Sequence, residues 1–497
     1  MKVRQICMMV LLGLGVIPAM QAQTFDKLWK EVEQAEKKSL PKTVIKLTDE
    51  IYQKGEKERN SAQMLKAYMW RMKTQDILTP DSFYVGLRDL EQWAKQTKQP
   101  MDRAILHSLI AEFYANYAAD NQWQLRQRTE IVGETPSADI REWTANMFVE
   151  KVRTNVKEAL ADSLLLLKTS SRNYIPFVEL GETSEYYHHD MYHLLASRAI
   201  RALNQIERLE RGSFNGITAS PVKQDIINIY ERMTDAYETA GLKEGYVLTM
   251  LQYLEWKRDN DNKLQPVQLK KGLGEWTADT YNAALDELKR QFKSEPICAE
   301  VYLAQVRYAV EKMQQVNALQ LCDEAIRLYP GYRRINALKN LREEILAPFL
   351  NVSAVSQAFP NEEIKLNVGH KNLDGFTVRL YQAKKLVKEQ HYSVLRPKDY
   401  RAKDTVFTFK APDLGTYVMR IIPDIRAKRD SESKFNVTRF KVLTCRLPEN
   451  QYEVVTLDGQ TGHPIPNAKV TLYSSDEKVL QEFTTDKIGR ASCRERV

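Results

Sequence analysis

The apolar residues of this chain change their spacing at Pro348. From Thr24 to about Leu346 they recur every three or four positions, and beyond Ala347-Pro348 they alternate with polar residues. A period near 3.6 buries one stripe of a helix, whereas a period of two buries one face of a strand. The chain is therefore read as helical first and β second. Its 497 residues exceed one core and suggest roughly three domains.

The helical region spans 24–346. In one segment Pro41 sits where a first-turn proline is tolerated, Val44, Leu47 and Ile51 form a stripe, and Gly55 is placed as a stop. In another, Ile226, Tyr230, Met233 and Tyr237 form the stripe and Gly241 ends it, so that Tyr246 to Trp256 folds back against it. Tyr302, Ala318, Ala325 and Pro330 fall at tetratricopeptide spacing, with a ring as wedge, small residues at a close crossing and a proline after the second helix. The region reads as a TPR-like, α-solenoid-like helical domain, with a generic helical bundle as the alternative.

In the β region Ile364, Leu366 and Val368 oppose Lys365 and Asn367. Phe376, Val378 and Leu380 oppose Thr377 and Arg379, and Tyr417, Met419 and Ile421 follow the turn Pro412 to Gly415. This predicts an Ig-like β-sandwich over 350–446. A second, incomplete sandwich is expected over 447–487, with strands at Tyr452 to Leu457 and Lys469 to Tyr473, Val470 and Leu472 pointing inward. Asp486-Lys487 reads as a hairpin turn whose return strand is missing. Ile488 to Val497 (IGRASCRERV) shows no apolar alternation and reads as a foreign, vector- or assembly-derived tail.

Residues 1–22 read as a secretory signal peptide: Lys2 and Arg4 are basic, Met8 to Ile17 is apolar, and Ala19-Met20-Gln21-Ala22 offers a cleavage site before Gln23. The apolar run falls short of the ~20 residues of a membrane span. Cys7 precedes it, so it cannot be a lipid-bearing mature terminus. Export to the periplasm or cell surface follows, with no membrane span in the mature chain. Only Cys298, Cys322 and Cys445 remain between signal and tail, too sparse a set for a disulfide framework. The net charge of +8 comes from 73 basic residues interleaved with 65 acidic ones, without the clustered patch that nucleic-acid binding needs.

Motifs for chemistry are sparse. His189-Asp190-Met191-Tyr192-His193 sets two histidines four apart on a helix face, resembling the zinc-protease string with aspartate for glutamate. No third ligand is evident, and Tyr186, Tyr187 and His188 suggest a polar aromatic surface instead. Trp70, Tyr114 and Trp256 read as packing wedges. Glu343-Glu344 points to two helix faces, which suits solvation. No catalytic, cofactor-binding or metal-binding residue is assigned, no cofactor is expected, and the chain reads as a non-enzyme.

The signal pattern, the helical opening with Trp29-Lys30-Glu31-Val32-Glu33 and Ser39-Leu40-Pro41-Lys42, and the β units after it together resemble the N-terminal part of bacterial alpha-2-macroglobulin-like proteins. Phe359-Pro360-Asn361-Glu362-Glu363-Ile364-Lys365-Leu366 with Leu414-Gly415-Thr416-Tyr417 resembles a macroglobulin-type domain. Thr461 to Val470 with Thr484-Thr485-Asp486 resembles the start of the next. The resemblance implies a protease trap, whose partners are proteases, and in many members a thioester from a Cys-Gly-Glu-Gln motif. Here the nearest string is Cys298-Ala299-Glu300-Val301, where Val301 has no amide to condense with a thiol. The fragment thus reads as scaffold without bait or thioester, its helical domain open to a protein partner. The alternatives are a cell-surface or periplasmic interaction scaffold and an exported metallopeptidase using His189 and His193.

Overall fold

A computed structural model describes residues 17–79, 82–129, 137–179, 181, 184, 188–210, 220–260, 278–425, 431–447, 451–473, 476 and 478–494. Lys2, Arg4 and most of the expected signal core lie outside the described residues, as do Tyr186 and Tyr187. The chain divides into two compact units, Met1–Ala304 and Gln305–Val497.

The first unit holds helices α1 (Ile17–Lys37), α2 (Pro41–Glu58), α3 (Ser61–Leu78), α4 (Ser82–Gln96), α5 (Pro100–Asp120) and α6 (Gln122–Gln127). After these come α7 (Ala145–Ala159), α8 (Ser163–Lys168), α9 (Met191–Glu207), α10 (Pro221–Thr239), α11 (Lys243–Asn260) and α12 (Ala278–Phe292). With the six-residue α6 and α8 set aside, each long helix packs on the one or two before it: α2 on α1, α3 on α2, α4 on α3, α5 on α4, α7 on α5, and α9 on both α5 and α7. Packing mainly between near neighbours is the mark of a stacked, solenoid-like array, although α3 also meets the turn Ser171–Tyr174.

Two local expectations meet different outcomes. Pro41 does open α2, but Gly55 does not close it: the helix runs on to Glu58 and Arg59 takes the left-handed conformation at φ 55°. Gly55 is buried because the next helix passes close, so that an added Cβ would lie 3.0 Å from the Met64 Cγ. Thr48, not Leu47, is the buried member between Val44 and Ile51, its hydroxyl donating to the Val44 and Ile45 carbonyls at 2.9 Å. The α10 stripe is as expected. Ile226, Tyr230, Met233 and Tyr237 are buried, Gly241 is left-handed at φ 68°, and α11 folds back so that Tyr253 stacks on Tyr230 at 4.9 Å.

Helix α13 (Cys298–Glu311) spans the boundary between the units. The second unit continues with α14 (Gln315–Leu328) and α15 (Ile335–Leu346), packed on each other. In this unit Ala318 and Ala325 are fully buried, and in the first unit Tyr302 is 1% exposed.

The strands then begin: β1 (Phe349–Ser353), β2 (Gln357–Ala358), β3 (Glu363–Lys371), β4 (Gly375–Gln382), β5 (Lys385–Ser393), β6 (Lys403–Lys410), β7 (Gly415–Pro423) and β8 (Ser431–Val437). They form two sheets, ordered β1-β3-β6 and β2-β8-β7-β4-β5. Ile364, Leu366 and Val368 of the first share a core with Phe376, Val378, Leu380, Tyr417, Met419 and Ile421 of the second. Where the chain enters this sandwich, Asn372 in left-handed conformation donates its amide to the Ile345 carbonyl at 2.9 Å. Lys371 Nζ reaches the Glu344 carbonyl at 2.9 Å, so a sandwich loop caps the end of α15.

Beyond Val437 the pairing changes. The strand β9 (Phe440–Leu447), which falls within the range expected for the first sandwich, pairs with β10 (Gln451–Asp458). The hairpin β11 (Lys469–Tyr473) and β12 (Val479–Thr484) stands as a separate two-stranded sheet. The strand expected to be missing after Asp486 is present as β13 (Arg490–Arg494), paired antiparallel with β10. A ladder uses main-chain groups and needs no apolar alternation. The turn is built by Asp486 Oδ1, which accepts from the Ile488 and Arg490 amides, and by Gly489 at φ 72°. Val470 and Leu472 are half-buried, as Thr471 is, so neither defines an inward face. Among the described residues the core here is thin, resting on Val454, Thr456, Thr485 and Ala491.

Gly245 in α11 provides a test of the α10–α11 contact, because a Cβ there would lie 2.5 Å from the Tyr237 ring. Gly245→Ala should lower stability by about 1–3 kcal/mol through overpacking, even though alanine favours a helix by roughly 1 kcal/mol. Urea unfolding of the full chain measures this, and a more stable variant would contradict the packing.

Candidate functional site

The string singled out for metal chemistry is a packing device. Asp190 is the N-cap of α9, its carboxylate accepting from the His193 amide at 2.7 Å. Aspartate at this place satisfies first-turn amides that would otherwise lack partners. His189 therefore precedes the helix, and the expected face with two histidines four apart does not form. The Asp190 oxygens also accept from the Tyr237 hydroxyl at 3.1 and 2.9 Å and contact His188 Nδ1 at 2.6 Å. Burial and the neighbouring carboxylate push the Tyr237 hydroxyl well above the usual tyrosine range. His193 is fully buried. Its Nδ1 accepts from the His188 amide at 3.3 Å, which leaves the proton on Nε2, 3.3 Å from Gln252 Oε1. Burial pulls its pKa down to about 4, against the opposing pull of Asp190. Among the described residues no group of three or more His, Cys, Asp or Glu could hold a metal ion.

The string Cys298 to Val301 opens α13. Cys298 and Val301 are fully buried and Glu300 is 5% exposed, so the thiol faces protein and not solvent. Cys322 is a free buried thiol whose pKa burial raises to about 11, the state of an inert cysteine. The aromatic residues pack as wedges: Trp70 meets Trp29 edge-on at 5.9 Å, Tyr114 stacks on Trp143 at 5.3 Å, and Trp256 donates Nε1–H to Asn204 at 3.0 Å.

What the helical unit does offer is grooves. One of about 490 Å³ lies between α7 and α10. Arg153 crosses it, donating to Asp225 at 2.6 Å and to Glu150 at 2.9 Å. Val156, Leu160 and Ile229 give it apolar lining, and Lys157 and Arg232 line it exposed, neither with an ion-pair partner among the described residues. A second groove of about 640 Å³ lies between α3 and α4, with Tyr68, Arg71, Met72, Leu78 and Val85 along it. There Arg71 lies over the Tyr52 and Tyr68 rings and pairs with Asp49 at 2.9 Å, while the Tyr68 hydroxyl donates to the Gly86 carbonyl at 2.7 Å. Both volumes fall within the roughly 300–1,000 Å³ typical of small-molecule clefts. Sequence reasoning missed both. The spacing of Arg153 with Lys157 and of Asn228 with Arg232, each four apart, marks one face per helix, but the 72-residue separation of Arg153 from Asp225 hides their pairing.

No family model matches the chain, and no curated protein does. Among solved structures it is similar to native alpha-2-macroglobulin from Escherichia coli spanning domains MG0-NIE-MG1, at 15% identity and a TM-score of 0.25, over 30% of this chain and 58% of that one. It is also similar to the same protein spanning NIE-MG1, at 13% identity and a TM-score of 0.24, over 30% of this chain and 88% of that one.

The buried imidazole makes a pH prediction. Its folded pKa lies below the ordinary value of 6.5, so between pH 6.5 and about 4 the unfolded chain holds a proton that the native chain does not. The stability His193 confers is complete above pH 6.5 and is lost as pH falls through this window, by about 3 kcal/mol in all. His193→Gln should flatten the fall in urea midpoint between pH 7 and pH 4 relative to the parent. An unchanged slope would contradict the assignment.

Proposed function

We propose that the chain is the non-catalytic N-terminal scaffold of an exported alpha-2-macroglobulin-like endopeptidase inhibitor. In the intact protein, proteases are the partners. The β units supply rigidity and the helical unit supplies spacing and a docking surface. Residues 1–22 support export, and among the described residues no helix is long and apolar enough to cross a membrane.

One observation carries the reading: the β segments with the family resemblance are the ones that build the β turns. Asn361 is left-handed at φ 61°, and Glu362 accepts from the Phe359 amide at 2.7 Å to close the entry to β3. Gly415 at φ 155° starts β7, and the Tyr417 hydroxyl donates back to the Asp413 carbonyl at 2.8 Å. In the next unit Asp458 Oδ1 accepts from the Gln460 and Thr461 amides, Gly462 is left-handed, and Thr485 Oγ1 donates to the Ile465 carbonyl at 2.8 Å. A resemblance in turn chemistry with physical roles supports kinship of fold more strongly than one in freely variable positions.

A second reading, a periplasmic or cell-surface interaction scaffold, draws on the α7–α10 groove, where Lys157 and Arg232 have no ion-pair partner among the described residues. Sequencing the source DNA past codon 487 separates the two. The inhibitor reading predicts a frame continuing into further β units and a bait segment, and a frame ending there overturns it. Limited proteolysis of the present chain supplies an independent check. The thin core beyond Leu447 predicts first cuts between residues 450 and 487 while 350–437 stays intact, and protection of 450–487 would contradict a weakly packed unit.

A further inference from the structure

The smaller sheet of the sandwich, ordered β1-β3-β6, ends on β6, which is eight residues long. The Ala411 amide donates to the Glu362 carbonyl at 2.8 Å, so the odd-numbered residues of this strand turn their main-chain groups toward β3. Val406, Thr408 and Lys410 therefore present theirs to the open side. Among the described residues the amides of these three have no hydrogen-bond partner, and Val406 is 58% exposed. A row of open main-chain groups is a template for another strand. The other edges of the sandwich suit one less well: β2 has two residues, β1 has five, and β5 carries a register shift opposite Leu380 and Tyr381.

The carbonyls on the open side of β6 are already taken. Tyr392 of β5 donates its hydroxyl to the Thr408 carbonyl at 2.9 Å, and Lys388 of β5 places Nζ 2.6 Å from the Lys410 carbonyl. Lys388 and Tyr392 are four apart on one strand and so share a face. Both are held from behind. The Tyr392 ring is buried and stacks on Phe376 at 5.1 Å, while Lys388 Nζ lies 4.5 Å from the centre of the Phe409 ring. A lysine serving solubility alone would extend into water, whereas this one is half-buried and commits its ammonium to an edge carbonyl.

The strand most suited to this edge is β6 itself. A two-fold axis at Thr408 sets Val406 of one copy opposite Lys410 of the other, so the same three residues on each side supply matching amides and carbonyls. We infer that Lys388 and Tyr392 close the β6 edge against a strand from a second copy of this chain. An incoming strand must displace two hydrogen bonds before its own amides reach Thr408 and Lys410, which weakens such pairing about tenfold to hundredfold.

Sedimentation velocity of the full chain across a concentration series tests this. Lys388→Met combined with Tyr392→Phe removes both donors while keeping their apolar bodies, and should raise the self-association constant roughly tenfold or more over the parent. Adding Val406→Pro should return it to the parent value, because proline removes an edge amide and is tolerated where that amide faces solvent. If circular dichroism shows that the double variant does not fold, the two single variants decide, each expected to associate about twofold to tenfold more tightly than the parent. Association unchanged in the folded variants overturns the guarding role. Association undiminished by Val406→Pro overturns β6 as the edge concerned.

Discussion

The carboxylate of Asp190 is the constraint on which the helical unit depends. It receives the Tyr237 hydroxyl from α10, His188 from the preceding loop and the first-turn amide of α9. Helix α9 packs on α5, α7, α8 and α10, so fixing its start fixes the middle of the stack. Isolated burial of a carboxylate is expensive, and breaking a buried charged network by removing one partner typically costs about 3–5 kcal/mol. The network therefore constrains register as well as stability. Tyr237 is held from its other side by the absence of a side chain at Gly245, and His193 extends the network to Gln252 of α11.

Much of the fold was legible in the sequence because the signals were local. Ile364, Leu366 and Val368 alternate with Lys365 and Asn367, and that pattern alone places them in a sandwich core. Ile226, Tyr230, Met233 and Tyr237 recur with a helical period and are buried together. Where the reading failed, a distant partner or a neighbouring helix decided the outcome. Gly55 looks like a stop until Met64 occupies the space beside it. Val442 and Leu443 look like first-sandwich residues, yet β9 finds β10. The strand at Arg490 is invisible to a search for apolar alternation because turn chemistry at Asp486 and Gly489 sets its pairing.

The candidate site was less legible than the fold. His189-Asp190-Met191-Tyr192-His193 has the composition of a metal string, but N-capping by Asp190 starts the helix at Met191, two residues past His189, so the histidines do not share its face. The α7–α10 groove comes from residues far apart in sequence, Arg153 with Asp225, and that pairing leaves no motif.

A double-mutant cycle on Asp190→Asn and Tyr237→Phe, read as unfolding free energies of the full chain, tests the central role of this carboxylate most directly. The account predicts that each single change is destabilising and that the pair is coupled by about 1–3 kcal/mol, since both act on one buried hydrogen bond. Single changes without measurable cost, or effects that simply add, would contradict it and release the stretch around His188 to His193 for another role.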